Sequence, residues 1–310
     1  MTRSFLRYFP LALLVAMGAG PSLAADDKLP PLPPLEQPAH DTRLPGKFIW
    51  ADLFTSEFDA ALKFYAETFG WEWRWVSQNP KHRYAIFYSD GRAVAGVAHY
   101  VPPKSKEAYG RWVHYVSVED VTKAVAGAEA GGGRVLLGRR SVPDRGDFAI
   151  VADTEGAPFG VLRSSSGDPP DYRAQFGEWL WVGLFARDAD AASKFYASLF
   201  GYEVFDFEGS DENADVLEYV LAAGGHSRAG VGQLSADSES KPTWLGSVRV
   251  EDVAATLKRA RSAGGEIVYE SDPEEMESHL SVIADPFGAT VGVMQWTFED
   301  AEPAAAEVAQ

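Results

Sequence analysis

Apolar and polar residues alternate in short segments along most of the chain, and longer segments between them show the spacing of amphipathic helices. The segment 48–54 alternates and predicts a first strand. The segment 59–69 predicts a helix that Gly70 ends. Four of its apolar residues lie along one face of that helix: Ala61, Phe64, Tyr65 and Phe69.

The pattern continues with strands near 72–76, 84–88 and 93–100, and Asp90-Gly91 predicts a hairpin turn between the last two. A strand over 111–118 and a helix over 120–130 follow. The glycines at 131–133 end that helix, and two more strands are predicted before Leu162. We interpret this order as two βαβββ modules in one unit.

The same order is repeated in the second half of the chain. Lys63-Phe-Tyr-Ala-Glu-Thr-Phe-Gly-Trp returns 131 residues later as Lys194-Phe-Tyr-Ala-Ser-Leu-Phe-Gly-Tyr, and the strands beginning at Lys47 and Glu178 have the same separation. Val118-Glu-Asp-Val returns after 132 residues at Val250. The separation between matching motifs changes by only one residue over a whole module, which indicates a tandem duplication. The second unit therefore repeats the first from 179 to 298.

These motifs resemble those of the vicinal oxygen chelate superfamily, the glyoxalase, bleomycin-resistance and extradiol-dioxygenase group. The resemblance rests on the Phe-Tyr-x-x-x-Phe-Gly helix ends, the Val-Glu-Asp-Val corners and the Asp285-Pro-Phe-Gly turn, of which Asp153-Thr-Glu-Gly is a weaker copy. It spans about residues 46–298. It implies an α+β fold of tandem units, each made of two βαβββ modules whose curved mixed sheets enclose a cavity.

The segments outside the two units predict an exported protein. Residues 1–24 have the basic start, short apolar run and Ser22-Leu23-Ala24 site of a secretory signal peptide, so we expect a periplasmic or secreted protein with no stable membrane insertion after cleavage. Residues 25–45 form a Pro-rich spacer with no core of its own. The first domain is predicted over 46–164, a linker over 165–177, the second domain over 178–298 and an acidic tail over 299–310.

Charge and composition exclude several kinds of chemistry. The chain has 28 basic and 45 acidic residues, a net charge of −17, which disfavours a nucleic-acid partner. It contains no cysteine, so thiolate metal sites, iron–sulfur clusters and cysteine nucleophiles are excluded.

The resemblance also says where metal ligands would lie, and this sequence lacks them. In metal-dependent members they occupy three places on the concave face of each unit's sheet. The first place falls on Trp50 and Trp181, the second on Val113 and Leu245, and the third, usually a Glu, on Gly160 and Gly292. None of these side chains ligates a divalent cation. We therefore predict no metal and no cofactor, and lactoylglutathione lyase activity is disfavoured.

The spacing of the histidines does not predict a metal site at any other position. His114 has the parity of Val116 and Val118, the face that packs on the helices, so we interpret it as a core residue. His99 ends a strand and could approach the cavity mouth. An atypical site that uses Asp52, His82 or His99 stays an alternative.

Strand parity identifies the candidate binding residues. Ile49, Ala51 and Leu53 should pack on the helices, and Trp112 and Trp244 are expected to be packing residues as well. The residues predicted to line the concave faces or their mouths are Trp50, Asp52, Phe54, Tyr115, Trp181, Phe185, Arg249 and His99. The two tryptophans either stack on a ligand or fill the cavity, and Asp52 and Arg249 either face a ligand or lie at a solvated rim.

Three functions fit this pattern. The first is an exported, metal-free protein that binds a small aromatic or amphipathic molecule in a concave cavity. The second is a lyase, isomerase or dioxygenase-like enzyme of the same superfamily, metal-independent or with an atypical metal site, in which Asp52 is a weak candidate for the general base. The third is a structural or partner-binding module. A homodimer is possible in each case.

Overall fold

The computed structural model describes residues 30–103, 107–207, 218–271 and 279–298. The predicted signal peptide and acidic tail lie outside them. No helix among these residues has both the length and the apolar character needed to cross a membrane. The elements in chain order are β1 (Phe48–Thr55), α1 (Phe58–Phe69), β2 (Glu72–Ser77), β3 (Tyr84–Ser89), β4 (Arg92–His99), β5 (Gly110–Ser117), α2 (Val121–Ala130), β6 (Arg134–Val142), β7 (Gly146–Ala152), β8 (Pro158–Ser164), β9 (Trp179–Ala186), α3 (Ala189–Phe200), β10 (Glu203–Asp206), β11 (Tyr219–Ala223), β12 (His226–Gln233), β13 (Thr243–Arg249), α4 (Val253–Ser262), β14 (Glu266–Tyr269), β15 (His279–Ala284) and β16 (Thr290–Gln295).

The helix ends follow local chemistry that the sequence predicts. Gly70 closes α1 in the left-handed region at φ 75°, and its N–H donates to the carbonyl of Ala66. Gly201 closes α3 in the same way at φ 72°. Asp120 caps α2 by accepting bonds from the N–H groups of residues 122 and 123.

One strand per unit is missing from the sequence prediction. Three strands, not two, lie between α2 and residue 164, and β6 is the additional one. Most of its side chains are partly or fully exposed, and Arg139 and Arg140 interrupt any alternation. An edge strand of this composition has no periodic signal, which is why the pattern did not reveal it.

Each unit forms one eight-stranded mixed sheet. The strand order is β2-β3-β4-β1-β5-β8-β7-β6 in the first unit and β10-β11-β12-β9-β13-β16-β15-β14 in the second. The β1–β4 and β5–β8 pairs are parallel, as are their counterparts in the second unit, and the remaining pairs are antiparallel. This confirms the α+β fold of paired βαβββ modules.

The helix-bearing faces of the two sheets pack on each other. One core joins α1 of the first unit to α4 of the second, and another joins α2 to α3. His114 belongs to this interface, where it is 2% exposed and its ring lies 5.1 Å from that of Trp179, which confirms it as a core residue. Burial lowers its pKa to about 3, so it is neutral. The opposite, concave faces of both sheets point away from this interface.

A matched pair of hydrogen-bond chains crosses this interface. The indole Nε1 of Trp112 donates to the hydroxyl of Tyr65, which donates to Oδ2 of Asp285 in the other unit, over 2.9 and 3.1 Å. Trp244 and Tyr196 make the same chain to Asp153 of the first unit, with both distances 2.9 Å. Both tryptophans are therefore packing residues, as their parity predicts.

The described part of the Pro-rich spacer, residues 30–45, packs on the first unit. Leu35 packs against the apolar cluster of the first concave face, and the carbonyl of Pro33 accepts a 2.9 Å bond from Nε of Arg145. The linker is also tied to the domains. Asp168 is fully buried, and its Oδ2 accepts bonds from the N–H of Leu44 and the hydroxyl of Ser117.

Candidate functional site: two unequal concave faces

The first concave face contains a buried polar cluster around Asp52. This residue is 8% exposed, and its Oδ1 accepts hydrogen bonds from Nε1 of Trp50 at 2.9 Å and from the hydroxyl of Tyr84 at 2.7 Å. Burial, reinforced by the negative charge of Asp52, raises the pKa of Tyr84 well above its usual value. The tyrosine is therefore a fixed hydrogen-bond donor at neutral pH.

Side chains of the protein fill the space above this face. A Cβ on Gly96, the strand neighbour of Asp52, would overlap the Asp52 carboxylate and the Tyr84 hydroxyl. A Cβ on Gly160 would overlap the ring of Tyr115. Tyr115 is 2% exposed and packs with Val113, as its parity predicts. Two glycines thus make room for residues of the chain itself.

Arg145 covers the same cluster from the hairpin between β6 and β7. It is 3% exposed, and its guanidinium carbon lies 4.3 Å from the ring centroid of Trp50, a cation–π arrangement. Through its bond to the carbonyl of Pro33 it also holds the spacer in place. Trp50 therefore stacks on a residue of this chain, and the first concave face is occupied from within.

The parity prediction fails at Ile49, and a β-bulge explains the error. The pairing of β1 with β5 shifts between Phe48 and Trp50, so one residue of β1 is unpaired there. Ile49 consequently joins Val113 and Tyr115 in the apolar cluster of the concave face instead of facing the helices.

The second concave face differs at the position that matches Asp52. Asp52 pairs with Gly96 on one side and Val113 on the other, and Gly183 pairs in the same way with Gly230 and Leu245. Among the described residues, no atom would lie within 4 Å of a Cβ on Gly183, so these residues leave open space above this position of the sheet.

Apolar side chains flank that space. Phe185, two residues along β9, is 3% exposed and packs in a cluster with Leu245 and Val282. Trp181, two residues before Gly183, is partly exposed. On the edge strand β10, Phe205 is 52% exposed. Its pairing with Val220 puts it on the face opposite Leu221, which belongs to the inter-unit core. A glycine floor between aromatic walls suits a flat apolar molecule.

Of the remaining predicted site residues, Phe54 packs against the apolar cluster of the first concave face, is partly exposed, and has its ring 6.2 Å from that of Tyr100. His99 ends β4, where its Nδ1 is buried and has no hydrogen-bond partner among the described residues. The guanidinium of Arg249 donates to the carbonyls of Ala174 and Trp296, so it joins the linker to the end of β16.

The positions that hold metal ligands in related proteins do not fit a metal here. Tyr115 occupies the space of a side chain at Gly160, and a Cβ on Gly292 would overlap Ser247 in the second unit. Within the described ranges, no three carboxylate or imidazole side chains are grouped in a way that could hold an ion.

A family model decides the relationship of this fold to known proteins. The model of the glyoxalase/bleomycin resistance protein/dioxygenase superfamily matches residues 47–161 and again residues 179–293. The chain belongs to this superfamily. The match confirms the resemblance that the repeated motifs carry.

Relatives and solved structures agree with the assignment. The anthracycline biosynthesis protein DnrV of Streptomyces peucetius is 29% identical over 276 residues, 84% of this chain and 97% of that protein. CFP32 of Mycobacterium tuberculosis, provisionally named a glyoxylase, is 29% identical over 252 residues, 79% of this chain and 93% of its own length. A Mn(II)-bound glyoxalase from Novosphingobium aromaticivorans has a TM-score of 0.55 at 17% identity, covering 82% of this chain and 83% of its own, which shows a shared fold.

Two residues that shape these faces, Tyr84 and Arg145, were missed from the sequence. Tyr84 lies on a strand whose facing could have been predicted by parity, since Ala85 and Phe87 belong to the core. Arg145 follows the unpredicted strand β6, and no sequence pattern connects it with Trp50. Gly183 was aligned with Asp52 by the repeat, but that alignment did not predict the open space above it.

Proposed function

We propose that this superfamily member is an exported, metal-independent binding protein whose second concave face takes a flat, largely apolar small molecule. The open space above Gly183 carries the proposal, because its counterpart in the first unit is filled by a carboxylate and two aromatic side chains. Trp181 and Phe205 are the side chains expected to stack on the ligand.

The relative DnrV suggests a ligand class. Its name refers to anthracycline biosynthesis, and anthracyclines are flat polycyclic aromatic molecules. A flat ring system matches a floor without side chains between aromatic walls. We therefore expect affinity for polycyclic aromatic compounds that carry a few polar groups at their edges.

A fluorescence titration with an anthracycline tests this proposal. Gly183 has ordinary strand geometry, so Gly183→Leu fills the space without backbone strain and should weaken binding at least tenfold. The matched control is Gly138→Leu, since Gly138 on β6 also meets no atom within 4 Å but lies in the other unit. Equal affinity in wild type and both variants would remove the second concave face from consideration.

Metal independence needs a separate measurement. Native mass spectrometry of mature protein from the periplasm, purified without added metal or chelator, should show no stoichiometric metal. An organic adduct would support the binding role, and a divalent ion bound one-to-one would contradict it.

An enzyme is the second candidate, and the enclosed Asp52 carboxylate is the observation that favours it. CFP32 is provisionally named a glyoxylase, and the solved structures with this fold include a homoprotocatechuate 2,3-dioxygenase of B. fuscum at a TM-score of 0.54. If Asp52 is a general base, Asp52→Asn abolishes turnover and retains substrate binding. Any activity that survives this substitution excludes the role.

A further inference from the structure

A cavity of about 450 Å³ lies between the two units, away from both concave faces. It opens at the start of β5 and the start of β13, and it extends to the turn that contains Asp285. Trp112 and Trp244 form part of its wall. Two cationic side chains, Arg111 and Lys241, also line it, one from each unit.

Among the described residues, these two cations have no acidic partner. Neither Arg111 nor Lys241 makes a salt bridge in the described part of the chain, although the protein has 45 acidic residues. Burial and the nearby positive charge of Arg111 both lower the pKa of Lys241. Two like charges held close together without a counter-charge repel each other, and a bound anion relieves that repulsion.

The carboxylates at this cavity do not neutralise the cations. Oδ1 of Asp285 accepts bonds from two backbone N–H groups, and its Oδ2 accepts the hydroxyl of Tyr65. Glu266 is exposed at the rim. Both oxygens of Asp285 thus have hydrogen-bond donors, and the described residues include no acidic group that raises the pKa of Lys241.

A buried hydroxyl supplies the second observation. Ser240 lines the cavity, is 4% exposed, and its Oγ has no hydrogen-bond partner in the described ranges. The guanidinium of Arg187 holds this loop by donating to the carbonyls of Ser238 and Ser240, both at 2.6 Å. An unpaired buried hydroxyl is costly unless a ligand accepts its proton.

We propose that Arg111, Lys241 and Ser240 form a binding site for a small anion, either a carboxylate or a phosphate group, at the junction of the two units. The guanidinium and the ammonium supply the charge, and the serine hydroxyl donates a hydrogen bond. The cavity has room for a small organic body beside the anionic group, and Trp112 and Trp244 border that space. This site is independent of the second concave face.

Titration of the full mature chain with inorganic phosphate and, separately, with acetate tests the site at constant ionic strength. We expect a saturable rise in melting temperature with at least one of them, and the stronger response distinguishes a phosphate site from a carboxylate site. Arg111→Gln and Lys241→Gln should each weaken the response at least tenfold. Lys258→Gln on the exposed face of α4 is the matched control and should leave it unchanged.

Two results would overturn the proposal. One is no saturable response of the wild type to either anion. The other is an equal response in wild type, Arg111→Gln and Lys241→Gln, which would indicate general salt stabilisation. The Gly183→Leu variant should keep the full response, so failure of this site and failure of the concave-face proposal are distinguishable.

Discussion

The two concave faces have the same strand order and the same pairing, yet one is filled and the other is open. Asp52 in the first unit is enclosed by Trp50, Tyr84 and Arg145. At the matching position, the part of the chain that the structure describes places no atom within 4 Å of a Cβ on Gly183. After the duplication the interface kept its matched Trp–Tyr–Asp chains, whereas the faces diverged. The difference shows that two copies of one duplicated fold can keep the same interface contacts while the side chains on their concave faces diverge.

Alanine substitutions at two glycines, one on each concave face, should differ most in their effect on stability. Gly160→Ala places a methyl group against the Tyr115 ring and should destabilise the protein by about 3 kcal/mol. Gly183→Ala enters open space in a strand and should change stability by less than about 1 kcal/mol. Urea unfolding of both variants measures the difference. If both variants lost the same stability, Tyr115 would not be filling the space at Gly160. Gly160→Ala should also cost less in a Tyr115→Ala background than in wild type.

The stability that the inter-unit interface contributes should depend on pH, whereas ligand binding on the concave faces should not. Burial raises the pKa of Asp285 to about 6, above the value of about 3.8 that it has when exposed. Between these values the folded state binds the proton and the unfolded state does not, so this group's contribution to stability falls as the pH rises from 4 to 6. The loss amounts to about 2–3 kcal/mol and is complete above pH 6.

Asp285→Asn removes that titration, so the variant should lose less stability, relative to wild type, at pH 7 than at pH 4.5. Unfolding midpoints at the two pH values measure it, and ligand binding on the second concave face should not change. Burial also raises the pKa of Asp153, which makes Asp153→Asn the matched variant. A difference from wild type that is constant across pH contradicts the assignment.

The polar cluster should be needed for the stability of the first unit. Asp52→Ala leaves the Trp50 indole N–H and the Tyr84 hydroxyl without their shared acceptor, at a cost of about 2 kcal/mol. Tyr84→Phe removes one donor only and should cost about half as much. Thermal unfolding compares them. If Asp52→Ala is as stable as wild type, the carboxylate is not serving as this acceptor.

The smallest expected effect is the release of the spacer. Arg145→Ala removes the bond to Pro33 and the contact with Trp50, with a loss of about 1 kcal/mol. Limited proteolysis should then cleave within residues 30–45 faster than in wild type. The neighbouring Arg139→Ala breaks only an exposed pair with Asp147 and should leave the cleavage rate unchanged. Equal rates in all three proteins would show that Arg145 does not hold the spacer.

Much of the fold was accessible from the sequence because it depends on short-range patterns. Gly70 and Asp120 end and begin helices through their own backbone and side-chain chemistry, and the repeat extends that prediction to the second unit. The bulge at Ile49 could not be predicted from the sequence, because an unpaired residue leaves no mark in the composition of the strand. The bulge nevertheless reverses which face of the sheet the residues before it occupy.

The state of each face depends on contacts between distant residues. Tyr115 fills the space at Gly160, and Arg145 reaches Trp50 from a hairpin about 95 residues away along the chain. Sequence parity placed Trp50 and Trp181 on the concave faces but left open whether they stack on a ligand or fill the cavity. Tertiary packing resolves this for Trp50, which stacks on Arg145.

A crystal structure of the mature protein with a bound anthracycline would show which concave face holds the ligand. We expect ligand density over Gly183 between Trp181 and Phe205, with Asp52 still bonded to Trp50 and Tyr84 in the first unit. Density over Asp52, with Arg145 and the spacer displaced, would contradict this expectation and make the first concave face the binding site.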